Sequence, residues 1–293
     1  MDKSDFAIFI LTHGRPDRVI TAQKLDEFKY TGRYYVVVDD QDKTLGAYRK
    51  RFGDKVLVFS KEKVASEFDE GDNFQDRRSV FYARNACWDL AREVGVRYFM
   101  QMDDDYSGFY VRLAGGPGDP GARRAEYLDR VIGAMLAYFK TVPALSIAMS
   151  QGGDHIGGRQ ERGMQKRKAM NTFLCDAERP FNFVGRINED VNTYTELGRR
   201  GALFLTVPNI QVNQPQTQGN PGGMTDLYKD SGTYVKTFYS VMYNPSAVRV
   251  GLLKDNRSDR PPRIHHAINW KATTAQILPE KYRKTARGKT AKA

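Results

Sequence analysis

Short apolar segments alternate with helix-like segments through the first hundred residues, and this alternation constrains the fold more than any other feature of the chain. The apolar segments are residues 6–11, 34–38, 56–59 and 98–102. They have the length of strands and are almost continuously apolar, as strands buried on both faces of a sheet are. Strands that alternate with helices predict a parallel sheet with right-handed crossovers. We therefore expect an α/β protein with a mostly parallel sheet flanked by helices.

Three segments have the spacing of apolar residues that amphipathic helices require. They are residues 80–94, residues 128–139 and the segment that begins at Glu189. Gly95 follows the first, at the position where helices often end in a residue with positive φ. Residues 145–149 follow the second and predict another strand.

Two polar segments rich in glycine, glutamine and asparagine interrupt the second half of the chain, at residues 151–158 and 211–223. We expect both to form loops, either at a functional site or as flexible surface segments. The sequence has no internal repeat and no break in composition before about residue 250. We expect a single large domain over residues 1–270, followed by a basic tail over residues 271–293.

The chain has a net charge of +11, because 46 Lys and Arg residues outnumber 35 Asp and Glu residues. Residues 271–293 alone contain seven basic residues and one acidic residue. A surface of this kind attracts polyanions, and a basic tail can bind phosphates by releasing their counterions. A solvated terminal segment would have the same composition, so both interpretations stay open.

The cellular location follows from what the sequence does not contain. It has no run of about 18 apolar residues that could cross a membrane. The apolar stretch near the N-terminus is too short for a signal peptide and lacks a small-residue cleavage site. Cys87 and Cys175 are too few for a disulfide framework or a cysteine-rich zinc site. We expect a cytoplasmic protein without a membrane partner.

Three consecutive aspartates, Asp103, Asp104 and Asp105, follow directly after the strand predicted at residues 98–102. Ligands of parallel α/β sheets bind at the carboxyl ends of strands, and adjacent carboxylates repel one another unless a cation neutralises them. Alternate side chains of an extended segment share a face, so Asp103 and Asp105 can act together while Asp104 points away. Because hard divalent cations prefer oxygen ligands, this predicts Mg²⁺ or Mn²⁺ on Asp103 and Asp105 with a bound diphosphate. A solvent-exposed acidic turn is the alternative.

The order of a strand, a helix with Arg84-Asn85, a strand and Asp103-x-Asp105 resembles the GT-A glycosyltransferases over roughly residues 5–270. The resemblance implies a Rossmann-like nucleotide-binding half, residues 1–110, and an acceptor half, residues 111–270. For Arg84, a surface arginine on an amphipathic helix is the alternative. The resemblance also implies that the ends of the first two strands, the Ala-Arg-Asn helix and the aspartate cluster contact the nucleotide sugar, through Thr12, Gly14, Arg15, Arg18, Asp39, Asp40, Arg84, Asn85 and Asp104.

An acidic pair, Glu189 and Asp190, begins the third predicted helix. Carboxylates in a first turn interact well with the helix dipole and need no catalytic role. The GT-A resemblance implies, however, that one of the pair is the base of an inverting enzyme, since a carboxylate in reach of the acceptor hydroxyl can take its proton. We expect Asp190 to be the base, with Glu189 as the second choice.

Two adjacent histidines, His265 and His266, lie near the end of the expected domain. The GT-A resemblance implies that a histidine in this region completes the metal shell, although imidazole suits Mn²⁺ less strongly than it suits Zn²⁺. We expect only one of the two to bind the metal, because adjacent side chains diverge; a packing pair is the alternative. His13 and His155, in polar loops, are weaker candidates for contacts to phosphate or acceptor.

Three segments, FMQMDDDYSGF, FNFVGRINEDVNTY and VNQPQTQGNPGGMTDLY, also resemble the TET-associated phage glycosyltransferases, relatives of the base J glucosyltransferase. The resemblance implies transfer of a hexose from a UDP-sugar, foremost UDP-glucose, to the hydroxymethyl group of 5-hydroxymethylcytosine or 5-hydroxymethyluracil in DNA. The net charge and the basic clusters at residues 123–124, 166–168 and 199–200 favour such a polyanionic acceptor.

Other functions fit the same residues. A GT-A enzyme could act on a glycan or a protein, and a decayed GT-A fold could bind DNA without catalysis. A sugar nucleotidyltransferase is a weaker alternative, because it would usually carry a glycine-rich, lysine-containing phosphate loop after the first strand.

Overall fold

The structure is a computed structural model, and it describes residues 5–68, 77–112, 121–151, 163–170, 172–214, 224–253 and 263–277. Nine strands in these ranges form one sheet. In chain order they are β1 (Phe6–Leu11), β2 (Arg33–Asp39), β3 (Val56–Phe59), β4 (Tyr98–Asp103), β5 (Gly108–Val111), β6 (Arg123–Arg124), β7 (Ala144–Gln151), β8 (Phe173–Asp176) and β9 (Leu203–Asn213).

The strand order across the sheet is β3-β2-β1-β4-β8-β7-β9-β5-β6. Strands β1 to β4 pair in parallel, and so do β7 and β9. Only β8 and β5, among the described strands, run against the others, because each pairs antiparallel with its neighbours. The predicted α/β class with a mostly parallel sheet is therefore confirmed.

Eight α-helices accompany the sheet in the described part of the chain. They are α1 (Ile20–Glu27), α2 (Leu45–Phe52), α3 (Lys61–Glu67), α4 (Phe81–Glu93), α5 (Leu128–Thr141), α6 (Glu189–Arg199), α7 (Met224–Tyr243) and α8 (Trp270–Thr273). Short 3₁₀ turns lie at Pro16–Arg18 and Gly53–Lys55, and β10 (Val248–Leu253) pairs with β11 (Arg263–Ile268) as a separate antiparallel hairpin. None of the helices in the described ranges has the length and apolar character needed to span a membrane.

Apolar side chains cover both faces of the sheet. Strand β1 shows why: Ile8 and Ile10 belong to a core cluster with Leu25 of α1, whereas Phe9 belongs to a second cluster with Trp88 of α4. Successive side chains of a strand point to opposite faces, so a strand buried on both sides must be apolar throughout. This burial explains why the apolar segments predicted the strands.

Gly95 has a φ of +65° directly after α4, as its position predicts. The expected loop at residues 211–223 is partly wrong, because Gln211 lies within β9 and pairs with Tyr110 of β5. The Gln211 side chain also accepts a hydrogen bond from Arg112 Nε at 2.9 Å, so polar residues extend this strand. The rest of that segment from residue 215, and residues 152–158 of the other predicted loop, lie outside the described residues.

The expected tail begins later than residue 271. Helix α8 packs on α6, with the rings of Trp270 and Tyr194 stacked at 6.1 Å between centroids. Thr273 is buried against the same helix. The folded part of the chain therefore includes residues 271–273, and residues 278–293 lie outside the described residues.

Candidate active site

The three aspartates lie at the carboxyl end of β4. Asp103 is the last residue of the strand, and Asp104 and Asp105 form a turn rather than the expected extended segment. The chain turns here so that the Asp104 side chain is 2% exposed, while the Asp103 side chain is 25% exposed. The turn thus buries the Asp104 side chain and leaves that of Asp103 partly exposed.

Asp104 fixes the loop that follows β1. Its carboxylate accepts a hydrogen bond from Thr12 Oγ1 at 2.5 Å and lies 3.1 Å from Arg15 Nη2. The Tyr48 hydroxyl of α2 accepts from the backbone N–H of Arg15 at 2.8 Å and lies 2.8 Å from Thr12 Oγ1. Burial raises the pKa of Asp104 to about 6, against the opposing effects of Arg15 and Thr12. Thr12, Arg15 and Asp104, three residues assigned to the nucleotide sugar, are thus joined into one network.

Arg84 lies under the aspartates rather than on the protein surface. Its side chain is 2% exposed, and the guanidinium donates to Glu189 Oε1 at 2.8 Å and to Asp103 Oδ1 at 3.2 Å. The interpretation of Arg84 as a surface arginine is wrong, because two carboxylates from distant elements hold the cation inside. Burial disfavours its charge, but Asp103 and Glu189 raise the pKa of Arg84, which stays protonated.

Negative charge accumulates around Asp103. Burial raises the pKa of Asp103 to about 6; Arg84 opposes this, and the charges of Asp105 and Asp190 raise it further. Carboxylates that repel one another in a partly buried site are suited to a hard divalent cation, which relieves the repulsion and prefers oxygen ligands. The carboxylates Asp103 and Asp105 therefore fit, as oxygen ligands, the metal that the sequence predicts.

Glu189 and Asp190 occupy different environments at the N-terminus of α6. Glu189 is buried against Arg84, whereas Asp190 is partly exposed. Burial raises the pKa of Glu189, Arg84 lowers it, and the charge of Asp190 raises it. Asn188, which precedes α6 with a φ of +54°, donates to the Lys236 carbonyl of α7 at 2.6 Å. This hydrogen bond ties the residue that precedes Glu189 and Asp190 to α7.

Asn85 contacts backbone in this structure. Its side chain is buried, its Nδ2 donates to the Phe183 carbonyl at 3.1 Å, and its Oδ1 accepts from the Phe183 N–H at 2.9 Å. Both ends of the amide are therefore used to hold the segment that leads into α6. Asn85 therefore has a positioning role in this structure, in contrast to the nucleotide contact that the resemblance implies.

The ends of β1 and β2 meet in a second polar cluster. His13 Nδ1 lies 2.6 Å from Asp39 Oδ2 and 3.5 Å from Asp42 Oδ2. Among the described residues, His13, Asp39 and Asp42 are the one group of three possible metal ligands whose ligand atoms lie within 4.8 Å of one another. However, Asp39 also pairs with Lys61 Nζ at 3.0 Å, and Asp42 accepts from the Gly14 N–H at 2.7 Å.

The side chains of this second cluster thus already bind partners within the protein. Asp39 is buried, and although burial opposes its charge, His13 and Lys61 leave the net pKa of Asp39 lowered. Asp40 is exposed and accepts a hydrogen bond at 3.0 Å from the backbone N–H of Lys61, the first residue of α3. Gly14 has a φ of +68°, a conformation that favours glycine, and Arg18 is exposed at the end of its 3₁₀ turn.

The two histidines lie together on β11 and do not diverge as expected. Their rings are 4.2 Å apart, and Lys168 Nζ lies 3.0 Å from Nε2 of both His265 and His266. Burial, with Lys168 as the next largest effect, lowers the pKa of His266. Within the described residues, neither histidine forms a close three-ligand group with Asp103 and Asp105. The structure therefore does not bring the predicted metal shell together; His155 lies outside the described residues.

The basic clusters are partly neutralised. Glu196 pairs with both Arg199 and Arg200, and Arg124 pairs with Glu27. Arg167 is buried. Such pairing reduces the positive charge that these clusters offer to a polyanion. The number of basic residues in each cluster therefore overstates the charge that is available.

Several residues of the site were not predicted from the sequence: Asp42, Tyr48, Lys61, Gln101 and Lys168. The spacing of Asp39, Asp40 and Asp42 after a strand is a signal that could have drawn attention to Asp42. Tyr48, Lys61 and Gln101 resemble ordinary helix or strand residues, and only the fold brings them to the site.

The mostly parallel α/β sheet carries a cluster of carboxylates at the carboxyl end of β4, the arrangement that the resemblance to the GT-A glycosyltransferases implies. The sequence matches the TET-Associated Glycosyltransferase family over residues 6–223, and the chain belongs to that family. The resemblance to the TET-associated glycosyltransferases that the sequence indicates is confirmed. No curated protein matches the chain in sequence.

Solved structures with a similar fold are distant from this chain. Glucosyl-3-phosphoglycerate synthase from Mycobacterium tuberculosis, in complex with Mg²⁺ and UDP, is 10% identical, with 90% of this chain and 87% of that chain covered and a TM-score of 0.47. The mannosyltransferase PcManGT from Pyrobaculum calidifontis, in complex with GDP-Man and Mn²⁺, is 15% identical, with 82% and 64% covered and a TM-score of 0.47. S. aureus TarS in complex with UDP-GlcNAc is 10% identical, with 77% and 64% covered and a TM-score of 0.42.

Proposed function

We propose that the chain transfers a hexose from a UDP-sugar, foremost UDP-glucose, to the hydroxymethyl group of 5-hydroxymethylcytosine or 5-hydroxymethyluracil in DNA. The observation that carries the chemistry is the set of interacting carboxylates Asp103, Asp105 and Asp190, which joins the end of β4 to the start of α6. Family membership supports a DNA acceptor. The net charge of +11 is consistent with such a polyanion.

Asp103 and Asp105 would hold Mn²⁺ or Mg²⁺, and the ion would neutralise charge on the departing diphosphate. Thr12 and Arg15, fixed by Asp104, lie at the end of β1, where the nucleotide of the donor would bind. These residues orient the donor and do not take part in bond breaking.

Asp190 is the proposed base. As the acceptor hydroxyl oxygen bonds to the anomeric carbon, the bond from that carbon to the diphosphate oxygen breaks, and the hydroxyl proton passes to the Asp190 carboxylate. Attack opposite the leaving group inverts the anomeric centre. Asp190 is preferred over Glu189 because Glu189 is buried and paired with Arg84. A base inside duplex DNA would have to leave the stack to reach such a site.

The test is incubation with Mn²⁺, a panel of UDP-sugars and DNA that contains either modified pyrimidine, followed by mass spectrometry of the digested nucleosides. We expect a mass gain of one hexose on one modified base. UDP release without a mass gain would redirect the search to glycan or protein acceptors. Absence of UDP release, together with salt-sensitive DNA binding, would favour a non-catalytic DNA-binding protein and contradict the proposal.

Asp105→Asn tests the metal assignment, because the amide keeps the shape of the side chain but removes its charge. We expect Mn²⁺-dependent turnover to be lost while the melting temperature stays near that of the wild type. Asp54→Asn, at an exposed turn next to β3, is the matched control. Full Mn²⁺-dependent activity in the Asp105 variant would refute the metal site.

A further inference from the structure

One guanidinium links the two halves of the candidate site. Arg84 Nε donates to Glu189 Oε1 at 2.8 Å, and Arg84 Nη2 donates to Asp103 Oδ1 at 3.2 Å. Asp103 ends β4 and Glu189 begins α6, so the two carboxylates come from elements that are distant in sequence. The position of each relative to the other is therefore set through Arg84.

The guanidinium is itself held on its remaining sides. Gln101 of β4 accepts from Arg84 Nη1 at 3.4 Å and returns a hydrogen bond from its Nε2 to the Arg84 carbonyl at 3.1 Å. The rings of Phe173 and Phe183 lie 5.0 and 5.6 Å from the guanidinium carbon. A planar fork fixed in this way sets the orientation of two carboxylates, whereas a lysine ammonium is a point charge with rotating donors on a flexible stem.

The need for such a group follows from the charge of the site. Asp103, Asp105, Glu189 and Asp190 are acidic groups whose charges act on one another in a largely buried place. Removal of a buried cation leaves its carboxylate partners uncompensated, and these then protonate or move. Arg84 therefore keeps the acidic groups together.

We propose that Arg84 is a positioning residue, which orients Asp103 toward the metal and holds Glu189 in a buried ion pair so that Asp190 is the carboxylate that meets the acceptor. The inference rests on the proposed function for the roles of Asp103 and Asp190. It assigns Arg84 to the carboxylates rather than to the nucleotide, the contact that the family resemblance implies.

The experiment compares Arg84→Lys and Arg84→Met with Arg92→Lys and Arg92→Met. Arg92 lies on the same helix and is 59% exposed, so it is a matched control. Misplacement of reacting groups by about 1 Å can slow turnover about 100-fold. We expect kcat to fall on this order in both Arg84 variants while the KM for the UDP-sugar changes much less. Wild-type kcat in Arg84→Lys, or a loss confined to KM, would overturn the proposal.

Metal affinity gives a readout that is independent of turnover. Loss of a residue that orients a metal ligand typically weakens metal binding by about 10- to 100-fold. We expect Mn²⁺ binding, followed by electron paramagnetic resonance, to weaken on this scale in Arg84→Lys and to be unchanged in Arg92→Lys. Equal affinities in the two variants would refute the link to Asp103, whether or not the wild-type enzyme turns over any acceptor.

A double-mutant cycle tests the link to Glu189. Glu189→Gln removes the carboxylate that Arg84 neutralises, so the double variant Arg84→Met/Glu189→Gln should be more stable than Arg84→Met alone. It also provides a folded protein if Arg84→Met does not fold. Glu189→Gln should retain more turnover than Asp190→Asn. Additive effects on the melting temperature, or greater loss of kcat in the Glu189 variant, would contradict the assignment.

Discussion

Asn85 distinguishes a nucleotide contact from a structural one, because the two roles predict opposite outcomes for Asn85→Ala. In the structure, Asn85 hydrogen-bonds both backbone groups of Phe183, at 2.9 and 3.1 Å. Phe183 is fully buried and its ring packs on Trp88 and beneath Arg84. Truncation to alanine therefore removes the partners of a buried N–H and a buried carbonyl.

The size of the effect follows from these two groups. A buried polar group left without its partner costs about 1–3 kcal/mol, so the loss of both partners should cost about 3 kcal/mol after some relaxation. With an unfolding entropy of about 2.1 cal/mol/K per residue, a chain of 293 residues loses about 5 °C of melting temperature for that free energy.

The assay combines calorimetric unfolding with titration of UDP in the presence of Mn²⁺, well below the melting temperature. We expect Asn85→Ala to lower the melting temperature and to leave the affinity for UDP unchanged. Asn182→Ala, an exposed asparagine next to Phe183, should change neither. If Asn85→Ala kept the wild-type melting temperature but lost UDP binding, the structural role would be wrong and the nucleotide contact correct.

Two further predictions concern the second half of the chain. A side chain at Gly198 would place its Cβ 2.1 Å from the Thr273 carbonyl, so Gly198→Ala should separate α8 from α6 and lower the melting temperature; Gly46→Ala, where a Cβ has open space, should not. A melting temperature equal to the wild type's in Gly198→Ala would contradict this contact. Deletion of residues 281–293, which contain six basic residues, should weaken DNA binding and flatten its salt dependence, since each phosphate contact contributes a slope of about 0.9. An unchanged slope in binding titrations at several salt concentrations would mean that the tail does not contact DNA.

Strands β1 to β4, in the first 110 residues, were predictable because burial on both faces of the sheet restricts their residues to apolar types. Strand β1, for example, is apolar at every position and buried at every position. The end of strand β9 was harder to predict from the sequence. Gln211 and Asn213 belong to the strand because they pair with β5, and such polar ends show no apolar periodicity.

Some residues of the candidate site were predictable from the sequence, but the contacts between them were not. A basic residue on an amphipathic helix is usually exposed. Arg84 is stable inside because the fold brings Asp103 and Glu189 to it from distant segments. Likewise, the sequence cannot show that Asp39 pairs with Lys61 or that Lys168 lies between the two histidines. Such pairs depend on which elements the fold brings together.

At the end of β4 and at the start of α6, one acidic residue is buried while its neighbour is partly exposed. At the end of β4, the turn buries Asp104 against Thr12 and Arg15 and leaves Asp103 partly exposed. At the start of α6, consecutive residues point about 100° apart around the axis, so a pair presents one side chain to the core and one to the crevice. Glu189 takes the core position and Asp190 the outer one.

This division has a physical reason. A carboxylate that must accept a proton or a metal needs access to the crevice, yet it must also be held in place, and one group cannot satisfy both needs well. An acidic neighbour that is buried and paired with a fixed arginine anchors the backbone, because leaving its position would expose an uncompensated charge. The buried members, Asp104 and Glu189, should therefore respond to substitution through the placement of Asp103 and Asp190, and not through contacts of their own with donor or acceptor.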